Sequence, residues 1–296
     1  MDVSSYGASE NADPIVEALG RYDLFKHAVE LEAYGMTVVP PEKMQTTPGF
    51  IERLRDAILR TCERRNGVEI GDPRTASPPN EAVRNNSWNL LEEDEVFVEA
   101  AINRVQMALV HWLSGQSAIF SGHTWIIKSP EGRSLSLHSD SHGIPPGAGQ
   151  IAHMCNASWI CTDYEGEEDG PTVFVPGSHK YGRATLPHES SLNSMPFKTV
   201  PLIAEAGSMA IWNGGTWHGS APRTKPGLRI TLVQNYMRTY MRPAHVYDGE
   251  VSPQLLQKYP ELDRIVGRPL YPFKDPQGPD QSRVAPFMRS GTDPYA

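Results

Sequence analysis

Apolar residues recur at helical spacing through the first third of the chain. They do so within residues 23–35, 50–67 and 93–115, and each of these stretches ends at a glycine. An apolar stripe of this period that stops at glycine is typical of an amphipathic helix packed on a core. The acidic start of 93–115 suits the helix dipole, and the pattern predicts one long helix there.

The pattern changes at residue 117. From there to 236, short runs rich in β-branched and aromatic residues alternate with clusters of Gly, Pro, Asp and Asn, without intervening helices. Strands at this spacing are typical of an antiparallel sandwich or barrel. Helices first and a double sheet afterwards predict an α+β, mainly β fold with a jelly-roll (cupin-like) core.

The expected organisation is one domain over residues 1–296. Its parts are a helical region over about 15–115, a jelly-roll core over about 117–240 and a loop-rich tail over 241–296. The tail is rich in Pro, Gly and Asp, and it holds one predicted short helix at 253–258. No internal repeat or linker demands a second domain.

Composition narrows the class of protein. Hydrophobic residues make up 39% of the chain and the net charge is −8. No Lys/Arg run suggests a nucleic-acid or membrane surface. The sequence shows neither a signal peptide nor 18 consecutive apolar residues, which predicts a soluble, cytoplasmic protein. Cys62, Cys155 and Cys161 form no C-x-x-C pair, so they are expected to be buried thiols.

The stretch "SLSLHSDSHGIPPG" concentrates possible metal ligands. His138 and Asp140 are two positions apart on a predicted strand, so both side chains point to the same face. His142 would share that face if the strand continued. However, Gly143 and the following prolines break the strand, and His142 is therefore expected at the rim of the site.

An H-x-D pair alone is a weak signal, and it needs a distant third ligand. The candidate is His218 in "IWNGGTWHGSAPRT". Two histidines and one carboxylate on one side of a metal form the facial triad of non-haem Fe(II) oxygenases, which leaves positions open for a cosubstrate and O₂.

A hairpin argument adds an arginine to this site. If "RTKPG" is a turn and the flanking strands pair symmetrically about 223–224, His218 lies opposite Arg229 and points to the same side. A buried arginine is costly without an anion, and its planar fork suits a carboxylate such as that of 2-oxoglutarate. Ser220 shares the His218 face and could contact the same carboxylate.

Several segments together resemble the phytanoyl-CoA dioxygenase (PhyH-like) branch of the Fe(II)/2-oxoglutarate oxygenases. They are "ELEAYGMTVVPPEK", "NLLEEDEVFVEAAINRVQMALVHWLSG", "HSD", "ASWICTDYEGEEDGPTVFVPGSHK", "WHGSAPRT" and "GLRITLVQNY", in the order of the family and within about 29–245. The resemblance implies a double-stranded β-helix core with buttressing helices. It also implies oxidative decarboxylation of 2-oxoglutarate to succinate and CO₂, coupled to oxidation of a substrate C–H by O₂.

The same resemblance assigns site residues. His138, Asp140 and His218 match the iron ligands, and Arg229 with Ser220 matches the site of the distal 2-oxoglutarate carboxylate. Further cosubstrate-pocket candidates are Trp159, Asn156 and Lys128. Because related halogenating enzymes have a small residue in place of the carboxylate ligand, Asp140 favours hydroxylation over halogenation.

The substrate is less well defined by the sequence. It is expected to be a small molecule with an unactivated C–H, such as a natural product or an acyl compound. Candidates for its pocket are Trp125, Ile127, His142, Tyr236, Met237 and Tyr240. The loop "GIPPGAGQ" and the tail are hypothesised to act as lids over its mouth.

Two alternatives stay open. One is a jelly-roll hydrolase or isomerase that binds Zn²⁺ or Mn²⁺ through His138, Asp140, His142 and His218. The other is a catalytically silent jelly-roll binding module. Arg229 discriminates against the first alternative, which does not need it, and the intact triad argues against the second. The oligomeric state is also open, with a homodimer among the options.

Overall fold

The N-terminal part of the chain is built mainly around five α-helices. The computed structural model describes residues 11–84, 86–130, 132, 134–141, 144–145, 151–247, 249–267, 276–278 and 293–296. The N-terminal helices are α1 (Asp13–Arg21), α2 (Phe25–Tyr34), α3 (Phe50–Asn66), α4 (Glu95–Ala101) and α5 (Arg104–Ser114). Among the described residues, no helix is both long and apolar enough to cross a membrane.

The prediction of one long helix at 93–115 is wrong, because the structure has two helices there. The chain breaks at Ile102 and Asn103, and the Asn103 side chain accepts a hydrogen bond from the backbone N–H of Gln106. Asp94 caps α4 in the same way through the N–H of Val96. Asparagine and aspartate favour such N-terminal positions because they bind otherwise unpaired N–H groups.

The strands form two antiparallel sheets, which confirms the predicted jelly-roll fold class. The strands are β1 (Met36–Val39), β2 (Ile119–Lys128), β3 (Leu135–His138), β4 (Met154–Ile160), β5 (Thr172–Phe174), β6 (Val200–Pro201), β7 (Met209–Asn213), β8 (His218–Ser220) and β9 (Arg229–Met237). The larger sheet has the order β1-β7-β4-β9-β2, and the smaller sheet has the order β3-β8-β5-β6.

The predicted hairpin between the strands of His218 and Arg229 does not exist. β8 pairs with β3 and β5 in the smaller sheet, whereas β9 pairs with β2 and β4 in the larger one. The segment between β8 and β9 therefore crosses from one sheet to the other. Its Arg223 is buried and forms an ion pair with Asp169 at 2.9 Å. Such crossings between packed sheets are normal in jelly rolls.

The two faces of the larger sheet have different surroundings. One face, with Trp125, Ala157, Trp159 and Leu232, joins the main hydrophobic core together with residues of the N-terminal helices, such as Phe50 and Phe97. The other face looks toward the smaller sheet and carries the polar residues of the site. The face on the helices is called the outer face and the face toward the smaller sheet the inner face. Only side chains on the inner face point toward the site.

The described part of the tail also packs on the helical side. It contains α6 (Pro253–Lys258), where a helix was predicted, and α7 (Glu261–Ile265). Leu262 and Ile265 of α7 are buried in the main core. The C-terminal residues 293–296 return to the end of α5, where the carbonyl of Tyr295 accepts a hydrogen bond from the N–H of Gln116.

Candidate metal centre and cosubstrate pocket

Three possible metal ligands converge between the sheets. β3 and β8 pair so that His138 and His218 are direct partners, and Asp140 follows two residues after His138. Nε2 of His138 lies 3.5 Å from Oδ1 of Asp140, and Nε2 of His218 lies 3.4 Å from Oδ2. A metal with bonds of about 2.0–2.2 Å holds adjacent ligand atoms roughly 3 Å apart. The trio therefore fits a small divalent ion.

The two imidazoles are oriented by the backbone. Nδ1 of His138 donates to the carbonyl of Ser136 at 2.9 Å, and Nδ1 of His218 donates to the carbonyl of Thr216 at 3.0 Å. Because a carbonyl only accepts, both Nδ1 atoms carry the proton and both Nε2 atoms keep a free lone pair. A hydrogen bond from the non-ligating nitrogen is the usual support of a metal-binding histidine.

Asp140 is held as a carboxylate. Burial alone would raise its pKa, but the adjacent imidazoles of His138 and His218, together with the Asn156 amide, outweigh that effect and lower the pKa to about 2. Asn156 on β4 donates through Nδ2 to Oδ2 of Asp140 at 2.7 Å. A metal ligand must be deprotonated, so Asp140 meets that condition at neutral pH.

Two buried cations lie side by side in the same cavity. Arg229 opens β9, and its cross-strand partner on β2 is Lys128. Nζ of Lys128 donates to Oγ of Ser220 at 2.8 Å and to the carbonyl of Ala221 at 2.6 Å. Arg229 donates to the carbonyl of Gly170 and stacks on the ring of Tyr164 at 5.3 Å. The described residues give this pair no acidic partner, which makes it a ready anion site.

The pKa of Lys128 reflects this confinement. Burial, together with the nearby charge of Arg229, lowers it to about 7. The Nε of Arg229 is buried and lacks a hydrogen-bond partner among the described residues. An unpaired buried donor costs free energy unless a ligand satisfies it. Both observations indicate that this end of the cavity is built for an anion.

The cavity between the sheets has a volume of about 790 Å³. Its wall includes the triad, Lys128, Arg229 and Ser220, so the predicted metal and anion sites share one space. A volume of this size is in the range of small-molecule sites. Residues that sequence reasoning missed also line it: Thr124, Ile126, Ser158, Tyr164, Thr231, Val233 and Asn235. Thr231, Val233 and Asn235 could have been predicted from Arg229, because residues two apart on a strand point to the same face.

Two other predicted pocket residues point away from the cavity, so their assignment to the pocket is wrong. Trp159 donates through Nε1 to the carbonyl of Ala100 and packs on Phe50, on the helical side. Tyr236 also points outward, and its hydroxyl donates to the carbonyl of Ala101 at 2.6 Å. Each lies one residue out of phase with the inward-facing positions of its strand.

Some of the remaining pocket candidates border the cavity and others do not. Trp125 and Ile127 belong to the main core but border the cavity, because β2 is an edge strand. Met237 lines the cavity, as expected. Tyr240 does not, since it lies on the surface with its hydroxyl 2.7 Å from Nδ1 of His153. His142 and most of the "GIPPGAGQ" loop lie outside the described residues.

Comparison with known proteins identifies the family. The profile of the phytanoyl-CoA dioxygenase (PhyH) family matches residues 31–231 of the 296. This chain belongs to the phytanoyl-CoA dioxygenase family. It is thus a dioxygenase that uses iron, 2-oxoglutarate and O₂, as the sequence predicted.

Individual relatives agree with this placement. The dioxygenase af480 of Aspergillus fumigatus is 27% identical over 217 residues, which cover 71% of this chain and 68% of that protein. HygX of Streptomyces hygroscopicus, solved with nickel and 2-oxoglutarate, has a TM-score of 0.56 at 20% identity and covers 74% of this chain and 88% of its own. EctD of S. alaskensis, solved with iron, has a TM-score of 0.58 at 17% identity and covers 74% and 78%. The two structures share the fold.

Proposed function

We propose that this dioxygenase hydroxylates an unactivated C–H of a small organic substrate. In this proposal His138, Asp140 and His218 hold the iron. Arg229, Lys128 and Ser220 bind the distal carboxylate of 2-oxoglutarate. The observation that carries the proposal is the presence of the triad and the paired buried cations in one cavity.

The chain's own residues have clear tasks in this scheme. Bound iron would supply the chemistry by which one O₂ converts 2-oxoglutarate to succinate and CO₂ and the substrate C–H to C–OH. The Nε2 atoms of His138 and His218 and the carboxylate of Asp140 would hold the ion, which is the donor set of a two-histidine, one-carboxylate iron centre. Arg229 and Lys128 orient the cosubstrate, and the surrounding side chains exclude water.

Asp140 supports hydroxylation over halogenation. Its carboxylate fills the position that a halide would need, and Asn156 holds it in place at 2.7 Å. A hydrolase or isomerase would not need the Arg229–Lys128 pair. We therefore favour oxygen chemistry over the metal-dependent hydrolase that the sequence left open.

The test follows metal and cosubstrate binding before turnover. Fe(II) and then 2-oxoglutarate are added without oxygen, and a weak visible charge-transfer band is expected only when both are present. Admission of oxygen should then release succinate at a slow uncoupled rate. A protein that binds Zn²⁺ or Mn²⁺ tightly but gives neither the band nor succinate would refute the proposal.

A further inference from the structure

The cavity is positively charged although the protein is acidic. The whole chain has 27 Lys and Arg against 35 Asp and Glu. Among the described residues that line the cavity, however, Arg84, Lys128, Arg229 and Arg242 are basic, and Asp140 is the only acid. Since a cleft lined by charge of one sign concentrates its field, this cavity should attract anions.

The cosubstrate accounts for only half of this charge. Under the proposed function, Lys128 and Arg229 bind 2-oxoglutarate and Asp140 binds the metal. Arg84 and Arg242 remain, and both are exposed. Within the described part of the chain, neither guanidinium has a hydrogen-bond or ion-pair partner.

The two arginines reach the cavity from different segments. Arg84 lies on the loop beside the edge strand β2, where its carbonyl accepts a hydrogen bond from Nε1 of Trp125 at 3.2 Å. Arg242 lies five residues after the end of β9. Lys128 and Arg229 are at the end of the β2–β9 pair that is far from Arg242. The cavity thus has a buried cationic end and, toward Arg242, an open end, and Arg84 lines it from beside Trp125 on β2.

Between these ends the wall is largely apolar. Ile126 and Val233 contribute from the strand interiors, and a group of methionines contributes near the open end: Met154, Met237 and Met241. Methionine is flexible and polarizable, so it adapts to apolar groups of varied shape. This wall would pack against a hydrophobic body rather than a sugar or a peptide backbone.

We propose that the substrate is an organic anion with an apolar body, whose carboxylate, sulfate or phosphate group is held by Arg84 and Arg242. The apolar body extends past the methionines toward the metal site. This inference rests on the proposed function, because the reactive C–H must lie near the triad. The planar forks of two arginines from separate segments suit a tetrahedral or planar oxyanion.

The test uses a matched pair of fluorescent probes. 1-Anilinonaphthalene-8-sulfonate carries a sulfonate, and N-phenyl-1-naphthylamine is the same ring system without it. Binding is titrated in the absence of oxygen with excess 2-oxoglutarate and Ni²⁺, so that Lys128 and Arg229 are occupied. We expect the sulfonate probe to bind about tenfold more tightly than the neutral probe, the order of one charge-assisted hydrogen bond.

Variants locate the binding site. Arg84→Gln combined with Arg242→Gln should remove the preference for the sulfonate and leave the affinity for the neutral probe unchanged. Arg21→Gln, at an exposed arginine on α1, is the matched control and should change neither affinity. Equal affinity of the two probes for the wild type, or an unchanged preference in the double variant, would overturn the proposal. Displacement of the sulfonate probe by 2-oxoglutarate would overturn it as well.

A second measurement separates this inference from the proposed function. Succinate release is screened with pairs of apolar carboxylic acids and their methyl esters, and the acids should stimulate release more strongly. If the wild type releases no succinate with any compound but the probes still discriminate, the proposed function fails and the anion site stands. If esters stimulate as well as acids, the anion site fails and the proposed function stands.

Discussion

The two faces of β9 show how one strand serves two purposes. Its inner face presents Arg229, Thr231, Val233, Asn235 and Met237 to the cavity, and its outer face presents Ile230, Leu232, Gln234 and Tyr236 to the helices. On the outer face even the polar Tyr236 has its hydroxyl bonded to Ala101 and Gln106. On the inner face the Nε of Arg229 has no partner among the described residues.

This difference separates stability from binding. An apolar face that is fully packed lowers the free energy of the folded chain. A buried charge without an oppositely charged partner raises this free energy. The inner face is therefore less stabilising and more suited to binding a ligand. Substitutions on the inner side of the fold should therefore change binding and turnover, whereas substitutions on the outer side should change stability.

The largest effect is expected at the triad. His218→Ala or Asp140→Ala leaves two ligands, and uncoupled succinate release should fall by about 100-fold or more, since loss of a supporting contact alone costs 10–100-fold. Bound iron should fall in parallel, while the melting temperature of the metal-free protein changes little. His188→Ala, at an exposed histidine, is the control. Full turnover in either triad variant would contradict the ligand set.

The outer face is tested at Leu232, which is fully buried. Leu232→Ala should lower the free energy of unfolding by about 2–5 kcal/mol, because it leaves a cavity in the main core. Denaturant unfolding measures this loss. The KM for 2-oxoglutarate should stay at the wild-type value while the variant remains folded, and a raised KM without loss of stability would break the distinction between the faces.

The matching change on the inner face is Arg229→Ala. A hydrogen bond to a charged group is worth about 1.5–3 kcal/mol, so the KM for 2-oxoglutarate should rise about 10–100-fold. Arg229→Lys should recover only part of this, because a lysine lacks the planar fork. The KM of both variants is measured from initial rates at varied 2-oxoglutarate concentrations. An unchanged KM in Arg229→Ala would exclude the proposed cosubstrate contact.

The smallest effect concerns pH. Burial and the charge of Arg229 lower the pKa of Lys128 to about 7, and only the protonated amine attracts a carboxylate. As pH rises through 7, Lys128 loses its proton and the KM for 2-oxoglutarate should increase, by less than about tenfold. Ser220 and the Ala221 carbonyl are its other described partners and do not titrate here. Lys128→Gln should flatten this pH profile. A KM that rises equally in this variant would point to another group.

Local signals in the sequence were sufficient to predict most of the helices and strands. The apolar stripes predicted α2 and α3, and the β-rich runs predicted the strands of the core. The break between α4 and α5 was missed although Asn103 carries a capping signal, because the apolar stripe continues across it. His138 and Asp140 were paired from their spacing on a predicted strand, and their side chains do meet, although β3 ends at His138 and Asp140 lies just beyond it.

The positions of other site residues were not a local property. Trp159 was placed in the cosubstrate pocket by the family resemblance and Tyr236 was a candidate for the substrate pocket, but each lies one residue out of phase with the inner face. A shift of one residue reverses the side to which a strand residue points. Nothing in a single strand tells which of its two faces meets the helices.

The sequence by itself therefore determined the fold class, the family and the residue types of the site. Only the tertiary structure decided how the site is assembled. The hairpin between β8 and β9 was a reasonable local expectation, yet the strands belong to different sheets, and Arg229 reaches the cavity of His218 from the opposite wall. The physical reason is that strand pairing and the choice of buried face depend on contacts between distant segments, which burial of the whole core selects.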